Sequence, residues 1–113
     1  MYDLEDRTFQ FAKEVALFLK KVPKTSANIE YSKQGIRSSG SIGANYIEAN
    51  EALSKKDFAM RIKICRKEAK ETSYWLKLLV ETNDATHASA GEKLIQKSDE
   101  LKKIFSSIIE KSK

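Results

Sequence analysis

The side chains able to do chemistry in this chain are few, and their spacing limits what they can do. Two carboxylate pairs stand three residues apart, Glu48 with Glu51 and Glu68 with Glu71. A di-iron centre in a helical bundle needs Glu-x-x-His pairs projecting inward. The sequence has none, and its one histidine, His87, falls in a polar link. The carboxylates therefore read as ordinary salt-bridged groups, and no metal ion or other cofactor is expected. Cys65 is the only cysteine; no histidine shares a helical face with it, and amid apolar neighbours such a residue is a small buried hydrophobe. Ser38, Ser39 and Ser41 also lack a base partner. Gly35, Gly40 and Gly43 match neither the dinucleotide-binding nor the P-loop spacing. The expectation is a protein that is not an enzyme.

Charge gives a stronger signal. The formal net charge is +5, and residues 54–83, with eight Lys/Arg against four Asp/Glu, hold nearly all of it. Within that segment Lys56, Lys63, Arg66, Lys67, Lys70 and Lys77 recur at helical spacing on one face. Such a stripe neutralises several phosphates and gives salt-dependent, weakly sequence-selective binding of RNA or other nucleic acid. Lysine-rich solvated faces are also common, and Asp57, Glu68 and Glu81 dilute this one. The rival reading is a protein-interaction scaffold whose lysines serve solubility and whose partner is another protein.

A third group is polar without being basic: Arg37, Asn45 and Glu48 upstream, Glu68 and Glu71 downstream. Hydrogen bonding between helices or subunits, fixing their register, accounts for it most simply, because buried polar groups must find partners; the alternative is a ligand-binding constellation.

The elements that position these groups follow from periodicity. With 113 residues, 41% hydrophobic and 33% charged, the chain fits a single domain, 1–113. One proline and four glycines leave too little turn chemistry for a β fold, so the class is all-α. Helices are expected at about 3–22, 26–53, 55–82 and 91–112. The first carries Leu4, Phe11, Val15, Phe18 and Val22 on one stripe and stops before Pro23. The third runs from a Ser54 cap with the seam Phe58, Ile62, Cys65, Ala69, Thr72, Leu76 and Leu79. After a link at 83–89, the last carries Leu94, Ser98, Leu101, Phe105 and Ile108, with Gly91 at its start. Short links make neighbours antiparallel, giving an up-down-up-down four-helix bundle.

The second helix has two apolar stripes. Ile29, Ser32, Ile36, Ser39, Gly43, Ile47 and Asn50 are read as its core seam, and Tyr31, Gly35, Ile42, Tyr46, Ala49 and Leu53 run beside them. So wide an arc implies a second neighbour. The third helix likewise has Met60, Ile64, Trp75 and Leu78 off its seam, with Tyr74 near them. Tyr31, Gly35, Ile42, Tyr46, Met60, Ile64, Trp75 and Leu78 are therefore the expected oligomer interface. No segment has the apolar length of a membrane span, and the start from Tyr2 to Asp6 is acidic rather than basic, so a cytoplasmic protein without membrane contact is expected.

Two stretches carry a family resemblance: Arg37-Ser38-Ser39-Gly40-Ser41-Ile42-Gly43-Ala44-Asn45-Tyr46-Ile47-Glu48-Ala49 and Lys67-Glu68-Ala69-Lys70-Glu71-Thr72-Ser73-Tyr74-Trp75-Leu76. With the opening from Asp3 to Ala12 and the junction Val22-Pro23-Lys24-Thr25, the chain resembles the bacterial 23S ribosomal RNA intervening-sequence proteins over essentially its whole length. Ser39-Gly40 replaces the Gly-Thr or Gly-Ser pair of many members. The resemblance implies a left-handed antiparallel four-helix bundle assembled into a homopentameric ring. A related bundle, the accessory protein of diversity-generating retroelements, binds nucleic acid alongside a reverse transcriptase, which lends support to a nucleic-acid role.

Overall fold

In the computed structural model the chain forms α1 (Leu4–Lys21), α2 (Ser26–Asn50), α3 (Lys55–Thr82) and α4 (Ala88–Lys111), with a 3-10 turn at Ala85–His87. Residues 3–113 are described; Met1 and Tyr2, which the single-domain reading and the acidic start take in, lie outside the described residues. Three helices begin on a side-chain cap. Asp3 accepts from the Asp6 N–H at 3.2 Å, Thr25 from Asn28 at 3.1 Å and Ser54 from Asp57 at 3.1 Å, each satisfying a donor that the first turn leaves without a helical partner.

Two boundaries differ from the sequence reading. Helix α2 closes at Asn50, where the Glu51 N–H turns back to the carbonyls of Glu48 and Ala49, and Leu53 stands 97% exposed beyond it. Helix α4 begins at Ala88 and not Gly91. Asp84 accepts from the Thr86 N–H at 3.0 Å and starts the short turn that leads into it. A link rich in alanine can extend a helix backward, and glycine is a poor guide to its start.

The molecule measures 45 × 22 × 20 Å, so helices of this length must lie along its long axis. Contacts between them run in opposite senses. Glu5 meets Asn50, whereas Leu19, later in α1, meets Gly35, earlier in α2. Between α2 and α3, Asn28 pairs with Asn83, Ser38 with Thr72 and Asn45 with Arg61. Between α3 and α4, Ala69 meets Ser98 and Val80 meets Gly91. Arg7 with Glu100 and Glu14 with Lys97 close the ring of four helices. The fold is the up-down-up-down bundle.

The seams of α1, α3 and α4 are buried as their periodicity indicates, from Phe11 and Val15 through Ile62, Cys65 and Leu76 to Leu101 and Phe105, except that Phe58 and Ile108 are only partly buried and Ile109 takes the buried place at the end of α4. On α2 the isoleucines of the expected core seam and the stripe beside it exchange roles, although Ser39 of that seam is buried and Gly43 lies against α1 as expected. Ile29, Ile36 and Ile47 are 41%, 54% and 50% exposed and Asn50 is exposed, while Gly35, Ile42 and Ala49 are buried and Tyr31 and Tyr46 pack against the core. Hydrophobicity alone favours neither stripe, since both are apolar and lie about 100° apart on the helix. Polar fit decides the phase. Ser38 accepts a 2.8 Å hydrogen bond from Thr72 in the dry interior, and both are fully buried; the Thr72 hydroxyl also lies 2.8 Å from the Glu68 carbonyl of its own helix. Rotating α2 by one stripe would leave Thr72 without Ser38 and bury isoleucines where serine and glycine allow close approach. A Cβ at Gly43 would stand 2.9 Å from Thr8 Oγ1, so α1 and α2 nearly touch there. At the far end, the Asn28 and Asn83 amides each donate to the other at 2.8 and 3.0 Å, tying the start of α2 to the end of α3.

Candidate nucleic-acid interface

Helix α3 is 28 residues long and uninterrupted, and its buried seam fixes which side faces out. Ile62, Cys65, Ala69, Thr72, Leu76 and Leu79 are 0–1% exposed, so residues about 180° away must face solvent. Lys56, Lys63, Lys67, Lys70 and Lys77 do so, and Arg66 lies half-buried at their edge toward α4. All six expected binding residues are thus brought to one stripe. Lys102, one turn beyond Ser98 on α4, is half-buried on the α3 side and adds a cation at the same edge.

None of these cations is neutralised by an ion pair. Among the described residues the salt bridges join Arg7 to Glu100, Lys97 to Glu14, Arg37 to Glu68 and Glu71, Lys33 to Glu30 and Lys113 to Glu110. Of the three acids expected to dilute the stripe, Asp57 and Glu81 are exposed, whereas Glu68 points elsewhere, as does its neighbour Glu71. Glu68 is only 7% exposed and faces α2, where the Arg37 guanidinium reaches it at 3.4 Å. Glu71 takes the same guanidinium on its Oε1, which also accepts from the Trp75 indole N–H at 3.4 Å. Burial pushes the Glu71 carboxyl up, but Arg37 and Trp75 outweigh it, and the group lies below its ordinary carboxylate range. The Glu71 and Glu68 hydrogen bonds hold the Arg37 guanidinium above its usual value. Asp99 of α4 is brought to the edge of the stripe, accepting from Ser73 at 2.8 Å.

The expected polar group therefore divides. Arg37, Glu68 and Glu71 form one α2–α3 clamp, Asn45 accepts from Arg61 at 3.0 Å a few turns away, and Glu48 is exposed, lining a groove with Arg61. Cys65 donates to the Ile42 carbonyl at 3.4 Å, and burial pushes its thiol up to about 12. His87 packs edge-on against Phe18, ring centroids 6.5 Å apart.

The expected oligomer interface is only partly at the surface. Met60 is 48% exposed, and Ile64, Trp75 and Leu78 are half-buried. Gly35 and Ile42 are wrongly placed in that set: both are buried inside the subunit, Gly35 against Leu19 and Ile42 with no exposed surface, so neither can reach a partner. Tyr31 leans on Trp75 and Tyr46 on Phe105, centroids 6.1 Å apart in each case, so both serve mainly the core. The apolar surface that α2 does present is Ile29, Ile36 and Ile47. Ile29 and Ile36 line a groove with Ala16 and Leu19 of α1, and Phe9 is 64% exposed on the same helix.

Comparison with known proteins comes from two directions. A family model described as 23S rRNA-intervening sequence protein matches residues 2–107. A crystal structure from Bacteroides thetaiotaomicron, described as a protein with unknown function from the S23 ribosomal protein family, superposes with a TM-score of 0.79 at 37% sequence identity, covering 95% of this chain and 98% of that one. No curated protein matches the sequence.

Proposed function

The chain belongs to the 23S rRNA-intervening sequence protein family, and we propose that this member is a non-enzymatic, cytoplasmic, self-associating bundle that binds RNA through the outer face of α3. The observation that carries the reading is the state of Lys56, Lys63, Arg66, Lys67, Lys70 and Lys77. They lie along one helix with no ion-pair partner among the described residues, while Glu68 and Glu71 of the same helix are held by Arg37. Cations in a row along one helix face favour a polyanion and release its counterions on binding. No helix among the described residues is long and apolar enough to cross a membrane.

Self-association is supported by a different surface. The α1–α2 face presents Phe9, Ile29, Ile36 and Ile47 to solvent, and residues 1–53 carry equal numbers of cations and anions. Copies of the chain can meet there without net repulsion and cover apolar surface that a lone subunit leaves wet. The ring of five implied by the family resemblance would repeat the α3 stripe once per subunit.

The test is RNA retention at low salt by the triple variant Lys63→Glu, Lys67→Glu, Lys70→Glu. Binding should be lost with helicity and subunit number unchanged, and for the unaltered protein log affinity should fall with log salt by about 0.7–0.9 per phosphate neutralised. Retention equal to that of the unaltered protein overturns the assignment. Absence of any binding near 50 mM salt would leave the scaffold reading in its place.

A further inference from the structure

Tyr74 stands in the middle of the cationic stripe. Lys70 and Lys67 lie one and two turns before it and Lys77 one turn after, all exposed, and the Tyr74 side chain is itself 57% exposed. A large aromatic ring so exposed calls for an account, and nothing in the interior supplies one. Its hydroxyl has no hydrogen-bond partner among the described residues. Its one ring contact is edge-on to Trp75, centroids 5.1 Å apart.

That contact packs one side of the ring against a residue that is itself held in place. Trp75 is half-buried, packed on its other side against Tyr31 at 6.1 Å, and its indole N–H reaches Glu71, which Arg37 clamps from α2. The chemistry that combines a flat ring with flanking cations is that of an unpaired nucleotide: the base stacks on the aromatic face and the neighbouring phosphates meet the ammonium groups. A duplex cannot use the ring in this way, since its bases are already stacked and the major groove of A-form RNA is too deep and narrow for side chains.

Resting on the RNA-binding reading above, we propose that the α3 face selects single-stranded RNA over duplex, with Tyr74 as the stacking platform for one base and Lys67, Lys70 and Lys77 as contacts to its flanking phosphates. The ligand class is a stretch of unpaired nucleotides, in a loop or at an end.

The experiment measures affinity of the full-length protein for two probes of equal length, an unstructured oligouridylate and a blunt RNA duplex. Tyr74→Ala should weaken oligouridylate binding by about 5- to 100-fold, change duplex binding less than about twofold and leave the salt slope unaltered. Tyr74→Trp should restore the single-strand affinity. Equal loss on both probes, or no loss on the single strand, overturns the stacking role while leaving the lysine stripe intact as an electrostatic site. A Tyr74→Ala protein whose subunit number falls in light scattering also overturns it, because the ring would then belong to a subunit contact. If the unaltered protein binds neither probe, it is the RNA-binding reading that fails.

Discussion

A Cβ placed on Gly91 would collide with Cγ2 of Val80 and stand 3.2 Å from Cζ of Phe18. Helices α3 and α4 meet there with no room for a methyl group, and α1 closes the gap from the third side. Gly91 lies in the first turn of α4 and is buried, so its role is close packing rather than the helix start its position in the sequence suggests.

Gly91→Ala should therefore destabilise the bundle although alanine is the better helix former. Overpacking costs about 1–3 kcal/mol, more than the roughly 1 kcal/mol gained in propensity. Gly40→Ala is the matched control, because nothing lies within 4 Å of its Cβ position, and it should stabilise by about 0.5–1 kcal/mol. Urea midpoints of the two variants should move in opposite directions. A Gly91→Ala midpoint at or above the unaltered protein's would refute the packing role.

The Arg37–Glu71 pair gives a prediction in pH. Glu71 lies below its ordinary carboxylate range in the folded protein, so it contributes stability above the unfolded carboxylate pKa. That contribution disappears as pH falls through the folded value. With side chains 47% and 29% exposed, the pair is solvent-screened and worth about 0.5–1 kcal/mol. Glu71→Gln should lower stability by that amount at pH 7, a difference that shrinks toward zero in acid, once Glu71 of the unaltered protein is itself protonated. Chemical denaturation of both proteins at neutral pH and near pH 3 measures it; a gap that widens in acid would contradict the assignment.

Three of the four helices could be read from the sequence because one stripe on each is much more apolar than its neighbours. Phe11, Val15 and Phe18 dominate α1, and on α3 the continuous seam of Ile62, Cys65, Ala69, Leu76 and Leu79 outweighs the off-seam Met60, Ile64, Trp75 and Leu78, which Glu71 interrupts. The outward α3 cations follow from that same phase, which is why Lys63, Lys67 and Lys70 fall where expected. Helix α2 was ambiguous for a physical reason: its core is built from Gly35, Ser38 and Ser39, small residues whose value lies in how near another helix can come. Partners such as Thr72, Thr8 and Leu19 are remote in sequence, so no local pattern reveals which stripe they select. The pairing of Asn28 with Asn83, 55 residues apart, was hidden for the same reason.

That exchange of stripes changes which residues an assembly can use, and it yields a sharp contrast. Ile36 and Ile47 are 54% and 50% exposed, whereas Ile42, between them in sequence, has no exposed surface. The double variant Ile36→Lys, Ile47→Lys should leave the subunit folded, since both side chains already meet water in a single chain. It should also place charge on the face proposed to join subunits, where a buried unpaired ammonium is strongly unfavourable. Light scattering should then report the 12.8 kDa single chain with helicity unchanged. Ile42→Lys should instead lose helicity and stability outright, because its charge would enter the core. A double variant that assembles as the unaltered protein does would move the subunit contact off the α1–α2 face, leaving the Met60, Ile64 and Leu78 side of α3 as the surface to alter next.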